Sequence, residues 1–148
     1  MNSPQYDEKN TEFVLRFDGC SKGNPGLAGA GAVIYDENFE IWSGYQFVGE
    51  KATNNMAEYN GLLIGLRESV NKGIKYLKVE GDSLLVIKQM TGEYRVNSEN
   101  LIELYNEAKN LEKQFITVSY HHILRNKNKR ADELANQSLL KNKKDNFI

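Results

Sequence analysis

Four acids in this 148-residue chain stand where they could act together: Asp18, Glu58, Asp82 and Asp132. Asp18 closes an alternating apolar run (Phe13, Leu15, Phe17) and opens the turn-rich stretch Gly19-Cys20-Ser21-Lys22-Gly23-Asn24-Pro25-Gly26. Asp82 closes a second apolar run carrying Leu77 and Val79. Glu58 falls one turn before Leu62 in a helical pattern, at the margin of the apolar stripe. Asp132 opens a last helical pattern, where the partial positive charge of a helix N-terminus favours a carboxylate. Carboxylates brought to one point repel each other unless a cation sits between them. A pocket of four acids, in a chain whose sole cysteine is Cys20, suits a hard divalent cation with oxygen ligands, Mg²⁺ or Mn²⁺ rather than Zn²⁺. Each acid also has an ordinary structural use. Asn55-x-x-Glu58 reads as a capping box, Asp82-Ser83 as a helix cap, Asp18-Gly19 as a turn, and Asp132-Glu133 as a complement to a helix dipole.

The elements that must position these acids follow from hydrophobic periodicity. Period two predicts strands over 12–18, 28–35, 39–48, 76–81 and 115–123. Met56, Tyr59, Leu63, Leu66 and Val70 recur at helical spacing, so a helix runs from Thr53 or Asn54 to Asn71, with Gly73 as its stop. A short helix covers 84–90. Ser98 caps the next, whose stripe is Leu101, Leu104, Tyr105, Ala108 and Leu111. Asn128 opens the last, with Ala131, Leu134, Ala135, Ser138 and Leu139 facing inward. The order βββαβααβα implies an antiparallel meander of strands 1–3, then right-handed crossovers that add strands 4 and 5 in parallel. The expected fold is α/β: a mixed five-stranded sheet of order 3-2-1-4-5 with helices on both faces. Strands 1 and 4 are then parallel neighbours, so Asp18 and Asp82 share one sheet edge, where ligands of open sheets tend to bind.

Composition bounds the function. The length suits one domain. Nineteen Lys and Arg against twenty Asp and Glu leave a net charge of −1, so the whole molecule is no electrostatic sponge for nucleic acid. The basic residues Arg125, Lys127, Lys129, Arg130, Lys141, Lys143 and Lys144 gather towards the end and make a local stripe compatible with phosphate contacts. One cysteine excludes an internal disulfide or a thiolate metal cage and suits a reducing compartment. No apolar run is long enough for a membrane helix, and Met1–Thr11 is polar and acidic, unlike a signal or transit peptide. The expected location is cytoplasmic. Residues 1–11 read as a disordered lead-in, 12–140 as the folded domain and 141–148 as a basic tail. A phosphate-loop nucleotide hydrolase is excluded, because no Gly-Lys-Ser/Thr follows the glycine turn.

Four motifs stand in order: Asp18-Gly-Cys-Ser-Lys-Gly-Asn-Pro-Gly26, Thr53-Asn-Asn-Met-Ala-Glu58, Gly81-Asp82-Ser83 and Asn128-Lys-Arg-Ala-Asp132-Glu-Leu-Ala-Asn136. With them the sequence resembles type 1 ribonuclease H over about Glu12–Leu140. The resemblance implies an endonuclease that hydrolyses the RNA strand of RNA–DNA hybrids and leaves 5′-phosphate and 3′-hydroxyl ends. It implies two Mg²⁺ per site, replaceable by Mn²⁺ and roughly 3.5–4 Å apart. Asp18 would bridge them, with Glu58 and Asp82 serving one and Asp132 the other. One ion would activate water and the other would stabilise the leaving oxygen. Glu58 would also help hold the ribose beside the scissile phosphate.

The resemblance assigns substrate contacts as well. Gly23 and the exposed backbone of the glycine turn, with Asn24 and Asn55, would read 2′-hydroxyls in the minor groove, the group that separates RNA from DNA. Thr53 would touch a DNA phosphate. Lys22, Asn128 and the Lys127–Arg130 stretch would meet the hybrid. A basic group near the last acid would help product release, and either His122 or Arg125 fits that place. The 91–97 segment is short, with Tyr94 and Arg95 to offer, so hybrid affinity should be modest and strongly salt-dependent. Cys20 reads as a bystander. The expected partner is a hybrid, with no membrane, and the protein a monomer. Two rivals share the fold: an inactive hybrid-binding module, and a domain of a reverse transcriptase or integrase polyprotein. The four acids disfavour the first; a polar start at Met1 and a short basic tail favour a free-standing protein over the second.

Overall fold

The structure, a computed structural model, describes residues 11–146, with side chains through Lys141. The expected lead-in falls on residues 1–10, outside the described residues. The elements are β1 (Glu12–Lys22), β2 (Gly26–Asp36), β3 (Phe39–Ala52), α1 (Asn54–Asn71), β4 (Tyr76–Gly81), α2 (Leu84–Met90), α3 (Glu99–Glu112), β5 (Thr117–His122), a 3₁₀ turn (Arg125–Lys127) and α4 (Lys129–Asn146). The sheet order is β3-β2-β1-β4-β5. The β1–β2 and β2–β3 pairs are antiparallel; β1–β4 and β4–β5 are parallel. This is the topology expected from the order of elements.

Two boundaries differ in a way that matters. β1 does not stop at Asp18. Its ladder to β4 ends at the Phe17–Gly81 pair, but its ladder to β2 runs on to Lys22–Leu27. A glycine-rich stretch that reads as a loop is held as strand by the neighbour on one side alone, and only Gly23–Pro25 form the turn. Asp18 is therefore the first residue beyond the β4 ladder in a strand that is still paired. At the other end, α4 continues to Asn146, so most of the expected 141–148 tail is helix.

α1 begins where Thr53 caps it, its hydroxyl oxygen accepting from the Met56 N–H at 3.2 Å. Glu58 is thus not spent on a capping box. Tyr59, Leu62, Leu63 and Leu66 are buried against Leu15, Phe17 and Ile34 of the sheet and Leu77 and Val79 of β4. Each buried Leu contributes roughly 1.5–3 kcal/mol, more than the roughly 1 kcal/mol that each of Gly61 and Gly65 costs inside a helix. Packing rather than propensity holds α1 in place. The opposite face belongs to α4. Ala32 and Ile34 of β2 join the α1 core. The alternate positions Gly29 and Gly31 lie under Ala131, Leu134, Ala135 and Ser138 of α4, as the pleat requires.

Candidate active site

Asp18, Glu58 and Asp82 each place a carboxylate oxygen within 4.8 Å of the others. Three different elements bring them there. Asp18 stands just past the β4 ladder. Asp82 follows Gly81, the last residue of β4, and it is Ser83 that caps α2, accepting from Val86 N–H at 3.3 Å. Glu58 arrives on α1 because that helix lies unusually close to β1. A Cβ at Gly19 would overlap the backbone of Ala57 and Glu58, and one at Gly61 would overlap the Asp18 carbonyl oxygen. The residue after Asp18 reads as a turn glycine, but it is a contact glycine.

Asp132 lies in the first turn of α4 and acts on Asp18 through its charge. Its Oδ1 accepts from Asn136 Nδ2 at 3.3 Å, and its carbonyl from the same amide at 2.9 Å. The four acids share one open cleft of about 510 Å³, also lined by Lys22, Asn54, Ser83, Arg125 and Asn136.

The cleft is strongly acidic and partly dry. Asp18 and Glu58 are each 4% exposed. Burial, then repulsion from Asp82, push the Asp18 carboxyl up from 3.8 to about 7. Burial, then Asp18 and Asp82, hold Glu58 well above the usual carboxylate range. Glu58 Oε1 is buried without a hydrogen-bond partner. A buried unpartnered oxygen costs stability unless something satisfies it. Three acidic oxygens, with a Glu58 oxygen orphaned beside them, are a donor set that fits a hard divalent cation.

Residues 16–138 match the reverse transcriptase-like family. The N-terminal ribonuclease H domain of a bifunctional Mycobacterium tuberculosis protein superposes with a TM-score of 0.83 at 41% identity, over 86% of this chain and 93% of that one. Ribonuclease H1 of Halobacterium salinarum superposes with a TM-score of 0.82 at 36% identity, over 86% and 97%. The chain belongs to the type 1 ribonuclease H family. LC11-RNase H1, solved in complex with an RNA/DNA hybrid, matches this ribonuclease H fold with a TM-score of 0.82 at 33% identity, over 87% and 97%. The chain spans 35% of the length of the full mycobacterial protein and 62% of the halobacterial ribonuclease HI.

Within this ribonuclease H site the other expected residues divide. Lys22 and Arg125 line the acid cleft. His122 is exposed and does not line it; its Nε2 lies 3.3 Å from the Asp82 carbonyl oxygen. Gly23, with φ of 87°, and Asn24 form the turn, where Asn24 Oδ1 accepts from the Asn54 N–H at 2.9 Å. That bond splints the turn to the start of α1. Thr53 is occupied as the cap. Asn54, and not the expected Asn55, lines the cleft.

Two expected contacts are corrected. Asn128 is 1% exposed, and its Nδ2 donates to Phe17 O at 2.9 Å and Asp82 Oδ2 at 3.0 Å; it is not a surface group for substrate. Arg130 is bound to Glu40 at 2.9 Å and also to Glu133, so it is not a spare phosphate cation of the Lys127–Arg130 stretch. Asn54, Ser83 and Asn136 were not legible as cleft residues. The signal for Asn136 was its place one turn after Asp132. Cys20 lines the cleft too, its thiol pushed up by burial and so a poor nucleophile.

Proposed function

We propose that this chain is an endonuclease that hydrolyses the RNA strand of RNA–DNA hybrids, leaving 5′-phosphate and 3′-hydroxyl ends. The observation that carries this reading is the trio of Asp18, Glu58 and Asp82, the first two buried, with the orphaned Glu58 Oε1, in a member of the ribonuclease H family. Asp18, Glu58 and Asp82 would hold one Mg²⁺, and Asp18 with Asp132 a second; Mn²⁺ would substitute. Divalent cations there would supply an activated water and charge for the leaving 3′ oxygen.

The chain's own groups do the rest. Lys22 and Arg125 draw the phosphate backbone to an acidic cleft that would otherwise repel it. The Gly23–Pro25 turn and Asn54 present polar groups to the minor groove, where a 2′-hydroxyl distinguishes RNA. Thr53 and Asn55 stand beside them at the start of α1. Arg125 lines the cleft and His122 touches the Asp82 backbone, so either could assist product release. We further propose that residues 12–140 hold the whole catalytic unit, and that the protein acts as a cytoplasmic monomer. No helix among the described residues is long and apolar enough to cross a membrane.

A labelled hybrid incubated with Mg²⁺ tests the activity, with Asp18→Asn as the control. The expected result is cut RNA strand with the unsubstituted chain and none with Asp18→Asn. Intact hybrid in both samples would leave a binding role only.

A further inference from the structure

Asn128 is buried and polar, and it touches the elements that carry three of the four acids. Its side-chain amide donates to Asp82 Oδ2 at 3.0 Å and to the carbonyl of Phe17, the residue before Asp18, at 2.9 Å. Phe17 is where the β1–β4 ladder stops. The main-chain carbonyl of Asn128 itself accepts from the Asp132 N–H at 3.1 Å, opening the helix that carries Asp132. One residue thus holds the ends of β1 and β4 and the first turn of α4 in a fixed relation.

The chemistry fixes which way the amide points. Both atoms it faces are acceptors, so the NH₂ must be turned towards them. The consequence is that Asn128 Oδ1 is buried without a partner. An unsatisfied buried amide oxygen costs stability. A side chain kept only to fill space would be replaced at lower cost by an apolar one.

We infer that Asn128 is a positioning residue of the metal site: its two donated hydrogen bonds set the distance between Asp82, Asp18 and Asp132. It acts through the carboxylates and does not meet the hybrid. By holding Asp82 Oδ2, it fixes how that carboxylate stands beside Asp18 and Glu58. Partners behind metal-binding carboxylates typically govern metal affinity or activity by 10–100-fold. This inference rests on the reading of the trio as a cation site.

The test uses Asn128→Asp, which keeps the shape, removes both donors and sets a second charge against Asp82. Asn128→Ala accompanies it, in case the added charge prevents folding. Mn²⁺ binding is followed by calorimetry without substrate, and cleavage of a labelled hybrid is followed across Mg²⁺ concentrations. The expected result for a folded variant is Mn²⁺ affinity about tenfold weaker or worse, a matching rise in the Mg²⁺ midpoint, a lower kcat, and a KM for hybrid within about twofold.

A merely structural Asn128 would lower the melting temperature and leave the metal midpoint in place, and that result overturns the inference. So does a raised KM with unchanged kcat, which would return Asn128 to the substrate. Metal binding that weakens in the variant of a chain that never cleaves hybrid supports the positioning role and sinks the nuclease reading instead. An unsubstituted chain that binds no Mn²⁺ overturns both.

Discussion

Asp18 and Glu58 are held as carboxyls that are hard to ionise, and the pH behaviour follows from that. The folded value for Asp18 is about 7 against 3.8 ordinarily, and Glu58 shifts in the same direction. Between those values the folded state binds more protons than the unfolded one. In the metal-free protein the contribution of these two carboxyls to stability is therefore full below about 4 and is lost as pH rises from there through about 7. Asp18→Asn should flatten this slope and raise the metal-free melting temperature at pH 8. Relief of buried repulsion on the order of 2 kcal/mol would shift it roughly 4–8 °C. Thermal melts with chelator across pH 4–8 read it directly, and an equal slope in both proteins would rule out a buried, mutually repelling pair. Added Mg²⁺ should reverse the ranking, because a bound cation favours the ionised carboxylates that Asp18→Asn lacks.

At the scale of elements, the acid trio depends on how closely a helix can lie on a strand. Glu58 reaches Asp18 because Gly61 leaves room for the Asp18 carbonyl, and Gly19 leaves room for the α1 backbone. Gly61→Ala puts a methyl group into that contact. Overpacking of this kind costs about 1–3 kcal/mol, and α1 must move outward, carrying Glu58 with it. Hybrid cleavage should fall at least tenfold in protein that is still folded, because displacing a reacting group by 1 Å costs about 10²-fold. Gly49→Ala is the matched control, since nothing lies within 4 Å of that position; its stability should stay within about 0.5 kcal/mol. Equal effects at both positions would show that the close contact is not what places Glu58. Heat denaturation and hybrid cleavage measured on the two variants decide between these outcomes.

At the scale of the whole molecule, the proposed activity requires a chain of net charge −1 to bind a polyanion at a cleft lined by four acids. Lys22 and Arg125 lie in the cleft, and Lys127 and Lys129 are exposed. Arg16 is committed to Glu80 at 2.8 Å, and Arg130 to Glu40 and Glu133. With two to four phosphates neutralised, hybrid affinity should fall roughly 10- to 150-fold between 50 and 200 mM salt. Binding isotherms with Asp18→Asn, which leaves the substrate intact, measure the slope. Arg125→Ala should reduce that slope by about one, whereas Arg130→Ala should leave it nearly unchanged. A flat salt response would remove the phosphate-contact account altogether.

The alternation of Phe13, Leu15 and Phe17, the helical spacing of Tyr59, Leu63 and Leu66, and the order of elements together determine the sheet order and the edge on which Asp18 and Asp82 meet. These are local patterns with a period, and handed crossovers leave them little freedom. The four acids were legible for the same reason: each sits at a place that the pattern itself marks. Tertiary contact decided the rest. Strand β1 runs past Asp18 because β2 pairs with it there, which no local propensity for Gly19-Cys20-Ser21 announces. Asn128 reads as a cap or a substrate contact, but its donors are claimed by Phe17 and Asp82 from 111 and 46 residues away. Arg130 reads as a free cation, yet it is bound to Glu40, 90 residues distant. A polar side chain takes the partner that burial brings to it, and only the folded chain says which partner that is.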